Sequence, residues 1–93
     1  MGRASRQKPE TLAAKLLDIR IKLDLSQNGI IKQMGLEQGL AREEISSFER
    51  GIRVPPLPVL LRYARVAGIC LDVLVDDEIE LPRKLPSKPK HRR

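Results

Sequence analysis

The residues between positions 42 and 53 combine positive charge with hydrogen-bond donors and acceptors at helical spacing. Arg42 carries a planar guanidinium whose paired N–H groups match O6 and N7 of guanine. Glu43 and Glu44 can only accept hydrogen bonds, and their matching donor in the major groove is the amino group of cytosine. A solvated helix face explains the same three residues, because acids in a first helical turn also favour the helix dipole.

Other polar residues near this stretch are suited to holding phosphate groups. Gln27 falls in the first turn of a predicted helix, where unpaired backbone N–H groups favour an anion. Arg50 and Arg53 flank a glycine and form a basic patch in the acidic middle of the chain. Ser46 and Ser47 can donate to a phosphate or to a base, or can be ordinary surface serines.

Residue types that support catalysis or metal binding are not arranged for either role. The sequence has no nucleophile–base pair, no metal-spaced cluster and no glycine-rich phosphate loop. His91 stands alone near the C-terminus, and Cys70 is interpreted as a small buried or capping residue, with a redox sensor as the alternative. We therefore expect no enzyme activity, no cofactor and no metal.

Size and composition indicate one small domain of 93 residues. No apolar run approaches the roughly 18 residues of a membrane span, and the basic start lacks the apolar region of a signal peptide. A lone cysteine excludes an internal disulfide framework and suits a reducing interior, so we expect a cytoplasmic protein with no membrane partner.

The net charge of +6 is unevenly distributed along the chain. Residues 1–8 and 83–93 carry nine basic side chains and no acid, whereas residues 9–82 carry nine basic and twelve acidic ones. We therefore predict a mildly acidic folded domain over residues 9–82, between a disordered basic arm (1–8) and a disordered basic tail (83–93). Such arms attract polyanions without selecting a sequence, although tails that only improve solubility have the same composition.

The elements that position these residues are predicted to be five helices, which makes the fold class all-α. The first runs from about Pro9 to Leu23, the second from an N-cap at Ser26 to a stop at Gly35, and the third from about Ala41 to Arg50. The fourth begins at Leu57 and ends at Gly68, and a short fifth covers Leu71 to Val75. Helical spacing predicts inward side chains in the third helix at Ala41, Ile45 and Phe48, and in the fourth at Leu57, Leu60, Leu61, Ala64 and Ala67.

A series of short motifs follows one order along residues 12–75: Leu25-Ser26-Gln27, Ile45-Ser46, Phe48-Glu49-Arg50-Gly51, Arg53 with Pro55, Leu60-Leu61 with Ala64, Ala67-Gly68-Ile69 and Leu71-Asp72-Val73-Leu74. In order and spacing they resemble the Cro/C1 (Xre-type) helix-turn-helix domain of phage and bacterial repressors. The resemblance covers about two thirds of the chain and implies a compact five-helix, lambda-repressor-like fold. Proteins of this family bind duplex DNA, usually as dimers on palindromic sites.

The resemblance also implies roles for individual residues. It places base contacts at Arg42, Glu43, Glu44 and Ser47, and backbone phosphate contacts at Gln27, Arg50 and Arg53, to which we add Ser46. Arg20 and Glu49 are similar to a buried ion pair that ties the first helix to the third.

The sequence departs from the family pattern in the helix-turn-helix itself. The turn between the second and third helices is about four residues longer than usual, which can tilt the third helix or add contacts through Glu37 and Gln38. Glu43 and Glu44 stand where Gln, Arg or Ser is more frequent, and Ile31 stands where Ala is usual. The larger Ile31 side chain indicates a shifted helix crossing.

These observations favour a sequence-specific duplex-DNA-binding transcriptional regulator, expected to be a repressor, that inserts its third helix into the major groove. One recognition helix per chain favours a homodimer on two half-sites about 34–36 Å apart. The predicted dimer surface is the fifth helix with Val73, Val75, Ile79 and Leu81, which an intrachain core would use equally well. The alternative function is a protein-interaction module or antitoxin that uses the helix-turn-helix as a docking surface.

Overall fold

A computed structural model describes residues 10–87, and within that range all regular structure is helical. The five helices are α1 (Leu12–Lys22), α2 (Gln27–Met34), α3 (Arg42–Glu49), α4 (Leu57–Ala67) and α5 (Leu71–Val75). The predicted all-α class and the number and order of helices are therefore confirmed. No helix among residues 10–87 is long and apolar enough to span a bilayer.

The helices enclose one apolar core. α3 packs against both α1 and α2, α4 packs against α2 and α5, and α5 also contacts α1. The buried apolar side chains come from every helix and from both ends of the α1–α2 turn: Leu12, Leu16, Ile19, Leu23, Leu25, Ile30, Ile31, Met34, Ile45, Phe48, Val59, Leu60, Tyr63, Ala64, Ala67 and Leu74. Ile31, the departure from the family's alanine, lies inside this core.

Local signals account for both ends of α2. The Ser26 hydroxyl accepts a hydrogen bond from the Gly29 N–H at 2.9 Å, which is the expected N-cap. Gly35 ends the helix in the left-handed conformation, with φ +72°. The predicted cap and stop are therefore confirmed.

The long turn between α2 and α3 is ordered by its own leucines. The N–H groups of Gly39 and Leu40 both donate to the Leu36 carbonyl, at 3.1 and 3.0 Å, so the extra residues form a single turn. Leu36 and Leu40 pack against the core, while Glu37 and Gln38 are exposed. The added residues thus extend the core beneath α3 and leave a short polar loop outside.

Two predicted core positions in α4 are wrong. Leu57 and Leu61 are exposed, and the core-facing residues are instead Val59, Leu60, Tyr63, Ala64 and Ala67. The inward stripe is rotated relative to the predicted one because Tyr63 turns its ring inward and becomes fully buried. The outer side of α4 consequently displays leucine to solvent.

The chain after α5 runs alongside α1 and holds both of its ends. The Asp77 carboxylate accepts from the N–H groups of Glu10 and Thr11, at 2.9 and 3.0 Å, and from the Thr11 hydroxyl. These bonds hold the two residues that precede α1, which begins at Leu12 rather than near Pro9, a residue outside the described range. At the other end, the Lys22 Nζ donates to the Pro82 carbonyl at 3.1 Å.

Lys15 fixes the middle of the same connection. Its side chain is buried, and its Nζ donates to the carbonyls of Val73, Asp76 and Ile79 at 2.7, 3.0 and 2.7 Å. The ammonium therefore satisfies carbonyls at the end of α5 and in the turn that follows.

Residues 83–87, assigned to the tail by composition, lie against the domain. Leu81 and Leu85 pack on the core, and the Ser87 N–H donates to the Ala67 carbonyl at 3.3 Å. The folded body thus continues past the predicted boundary at Pro82. The predicted basic arm, residues 1–8, and the remainder of the predicted tail, residues 88–93, lie outside the described residues.

Candidate nucleic-acid interface

α3 is held by two buried anchors and turns its remaining side chains away from the core. Ile45 and Phe48 are almost completely buried, whereas Arg42 and Glu43 are exposed and Ser46 and Ser47 are half-buried. Ala41, predicted to face inward, is exposed because it is the extended N-cap residue that precedes the helix. Within residues 10–87 no other helix covers the outer side of α3 at Arg42 and Glu43, so that end of the helix is exposed among the described residues.

Glu44 closes the N-terminus of α3 by accepting a hydrogen bond from the Ala41 N–H at 2.9 Å. This is the glutamate half of a capping box, since alanine offers no reciprocal acceptor. The same carboxylate lies 3.6 Å from Nη1 of Arg53. Glu44 is thus already engaged within the protein, and Glu43 is the first-turn acid whose side chain has no hydrogen-bond or ion-pair partner between residues 10 and 87.

The C-terminal end of α3 joins three helices through Glu49. Its carboxylate accepts two hydrogen bonds from Arg20 of α1, from Nε at 2.7 Å and from Nη2 at 3.0 Å. It also accepts from Nε2 of Gln27 in α2 at 3.3 Å. Arg20 donates a further bond to the Leu25 carbonyl at 3.1 Å, which fixes the α1–α2 turn. These contacts tie α3 to both α1 and α2.

Burial and charge reinforce this network. The two hydrogen bonds make the Arg20–Glu49 pair bidentate. The side chain of Glu49 is 5% exposed and that of Arg20 is 18% exposed, so the pair is also largely desolvated. The hydrogen bond to Glu49 raises the pKa of Arg20. Burial of the Tyr63 ring, followed by the nearby negative charge of Glu49, raises the pKa of the Tyr63 hydroxyl. That hydroxyl has no hydrogen-bond partner among the described residues.

The basic side chains around α3 differ in whether they contact other side chains of the protein. Arg53 lies 5.8 Å from the centre of the Phe48 ring and close to Glu44, so both contacts hold it beside α3. Arg42 and Arg50 are exposed and have no ion-pair partner within residues 10–87. The protein therefore presents one free guanidinium at the start of α3 and one just beyond its end.

The predicted DNA-contacting residues thus lie on α3 or directly against it. The side-chain amide of Gln27 is half-buried and donates to Glu49 of α3, so this donor is already engaged. One backbone N–H in the first turn of α2, that of Gly29, is satisfied by the Ser26 hydroxyl. The predicted Arg20–Glu49 pair is present in the structure. Sequence reasoning missed the Gln27–Glu49 bond, the Arg53–Phe48 contact and the capping role of Glu44. The available signal is Glu44 three residues after the helix N-cap, the position where a capping box carries Glu or Gln, although Ala41 lacks the side-chain acceptor of a full capping box.

The remaining candidate residues lie elsewhere or outside the described range. Cys70 is exposed at the N-cap position of α5, where its side chain makes no capping hydrogen bond. Among residues 10–87, no three His, Cys, Asp or Glu side chains are grouped to hold a metal ion. His91 falls outside that range.

Comparison with known proteins adds no assignment, since no family model, no curated protein and no solved structure matches this chain. The Cro/C1 resemblance therefore stays a prediction made from sequence motifs.

Proposed function

We propose that this protein is a sequence-specific duplex-DNA-binding regulator, a repressor of the helix-turn-helix class, with α3 as the recognition helix. The observation that carries the proposal is how α3 is held in the fold. The buried Ile45 and Phe48 and the hydrogen bonds of Glu49 fix the helix. Arg42 and Glu43 project into solvent. A helix held in this way suits insertion into the major groove, because a backbone that is already ordered loses little entropy on binding.

In this proposal the free side chains divide into two classes. Arg42 reads a guanine edge and Glu43 accepts from a cytosine amino group, while Glu44 and Arg53 contribute to the shape of the helix start. Arg50 supplies a phosphate contact, and the basic residues 1–8 and 88–93 add attraction that depends on salt. Base contacts then set the sequence preference and phosphate contacts set the register.

The proposal is tested by selecting binding sites from random duplexes, using the full chain and an excess of nonspecific competitor DNA. We expect one enriched motif. Arg42→Ala should relax the preference at one base pair by about 1–3 kcal/mol. Arg50→Ala should weaken binding to all sequences and lower the salt dependence by about one phosphate contact.

Arg83→Ala is the matched control, because Arg83 is an exposed arginine after α5 that lies outside the proposed DNA contacts. Its enriched motif should equal that of the wild type. If no motif is enriched, or if Arg42→Ala enriches the same motif as the wild type, α3 does not read DNA. The result would then favour the protein-docking alternative.

A further inference from the structure

The surface formed by the α3–α4 connector and the outer side of α4 is apolar and basic. Ile52 and Leu57 are 59% and 63% exposed, and Val54 and Leu61 are also exposed. Leu57, Leu61 and Arg65 recur every four residues, so they form one stripe along α4. We call Ile52, Val54, Leu57, Leu61 and Arg65 the α4 outer face.

Charge along this part of the chain has a single sign. Residues 50–71 contain four arginines and no acidic residue, although residues 10–87 as a whole contain twelve acidic and eleven basic residues. The basic character around Arg50 and Arg53 therefore extends along α4, beyond the basic patch predicted from the sequence. Arg62 is partly used, since its Nη1 donates to the Met34 carbonyl at 2.6 Å, whereas Arg65 is exposed without a partner within residues 10–87.

The next stretch of chain has the opposite character. Residues 72–80, the acidic segment, contain five acids and no base. Asp77 is committed to the start of α1, and Asp76 accepts from the Glu78 N–H. The exposed carboxylates that remain without a partner among the described residues are those of Asp72, Glu78 and Glu80.

We propose that the α4 outer face binds the acidic segment of a second copy of this chain, in a two-fold symmetric dimer. α5, which carries the first acid of the segment, packs against α4 on the same molecule. In a two-fold dimer the α4 outer face of each copy meets the acidic segment of the other, so every contact occurs twice. Opposite charges set the register, and the exposed leucines supply the apolar area that a contact of this kind needs.

The dimer surface differs from the one expected from sequence. Val75 and Leu81 of that predicted surface pack on the chain's own core. The α4 outer face takes their place, and the acidic segment retains the half-buried Val73 and Ile79 beside its carboxylates. This inference supplies the second copy that the proposed function calls for, but its test contains no DNA, so its failure is distinct from a failure of DNA reading by α3.

Sedimentation equilibrium of the full chain tests the proposal at low and high salt. The wild type should dimerise, with a dissociation constant that rises at least several-fold from about 0.05 to 0.5 M NaCl because screening weakens the charge pairs. Leu61→Gln should weaken the dimer at both salt concentrations. Ile21→Gln is the matched control, because Ile21 is an exposed apolar residue on α1 (60%, against 38% for Leu61), and it should leave association unchanged.

Charge reversal identifies the partner surface. Arg65→Glu alone, and the double variant Glu78→Lys with Glu80→Lys alone, should each associate at least ten-fold more weakly than the wild type. An equimolar mixture of the two variants should recover the dimer, because each surface again meets an opposite charge. Circular dichroism of each variant confirms that it is folded.

A wild type that stays monomeric at about 100 μM, where standard-size interfaces associate, overturns the proposal. It is equally overturned by reversed variants that associate like the wild type, or by a mixture that stays monomeric. The proposal is supported when the mixture recovers the dimer that each variant by itself has lost.

Discussion

Replacing Glu49 with alanine removes the carboxylate that links α3 to α1 and α2. In the wild type this group accepts three hydrogen bonds, two from Arg20 and one from Gln27. The side chain of Arg20 is 18% exposed in the wild type. Without Glu49, its guanidinium keeps the Leu25 carbonyl as its remaining acceptor. Stranding one member of a buried pair costs about 3–5 kcal/mol. Because Arg20 keeps one acceptor and some contact with solvent, we expect the lower end, about 3 kcal/mol.

A loss of this size is large for a small domain, whose total stability is typically about 5–15 kcal/mol. In domains of 60–100 residues each kcal/mol lowers the Tm by about 4–8 °C, so Glu49→Ala should melt about 12–24 °C below the wild type. Thermal melting followed by far-ultraviolet circular dichroism measures the shift, since the described structure is all helical.

Two comparisons isolate the ion pair. Glu43→Ala removes an exposed glutamate from the same helix and should change stability by no more than about 0.5 kcal/mol. The double variant Arg20→Met with Glu49→Leu replaces both charges by apolar groups and should melt above Glu49→Ala, because no charge is left stranded. The reasoning is refuted if Glu49→Ala melts within about 4 °C of the wild type, which corresponds to 1 kcal/mol or less.

Three further changes test other parts of the fold. Tyr63→Phe removes a buried hydroxyl without a partner among the described residues, so chemical denaturation should show no loss, or a gain of up to about 1 kcal/mol. Because folding raises the Tyr63 pKa above 10.0, the wild type should also lose stability as the pH rises past 10, and this loss should be smaller in Tyr63→Phe. Hydrogen bonds from Glu10 and Thr11 lower the pKa of Asp77 below 3.8, so the stability that the Asp77 carboxylate contributes is present above that pH and is lost in more acid solution. Melting from pH 7 to pH 2 should show the Tm difference between the wild type and Asp77→Asn closing below about pH 4. A Tm difference that does not change with pH contradicts this. Gly68→Ala places a Cβ 2.8 Å from Oγ of Ser87 at a φ of +79° and should cost more than about 1 kcal/mol in denaturant, whereas Gly39→Ala meets nothing within 4 Å and should be tolerated.

Features with a local cause could be predicted from the sequence. Ser26 and Gly35 bound α2 through contacts within a few residues, and the short α5 follows from an apolar run after Gly68. The pairing of Arg20 with Glu49 was reached through the family resemblance, because 29 residues separate the two partners and no local pattern links them.

Features with a distant cause could not be predicted. The residues before α1 are held by Asp77, more than 60 residues away, and composition alone assigned Leu85 to a tail although it packs on the core. In α4, Leu57 and Leu61 match a helical apolar stripe as well as the residues that are buried, and only tertiary packing selects between the stripes. At the candidate interface, whether Glu44 is free or engaged depends on a contact with Arg53 across the end of a helix.

The hydrogen bonds from Glu10 and Thr11 to Asp77 have a consequence for biosynthesis. These two residues lack their acceptor until Asp77, more than 60 residues further along, has been synthesised. Short helices without tertiary partners are marginal in water, so α1 is expected to fluctuate until the segment after α5 has emerged. A chain truncated before Asp77 also lacks the bonds from Lys15 to Ile79 and from Lys22 to Pro82, and it should be cleaved faster than the full chain in limited proteolysis.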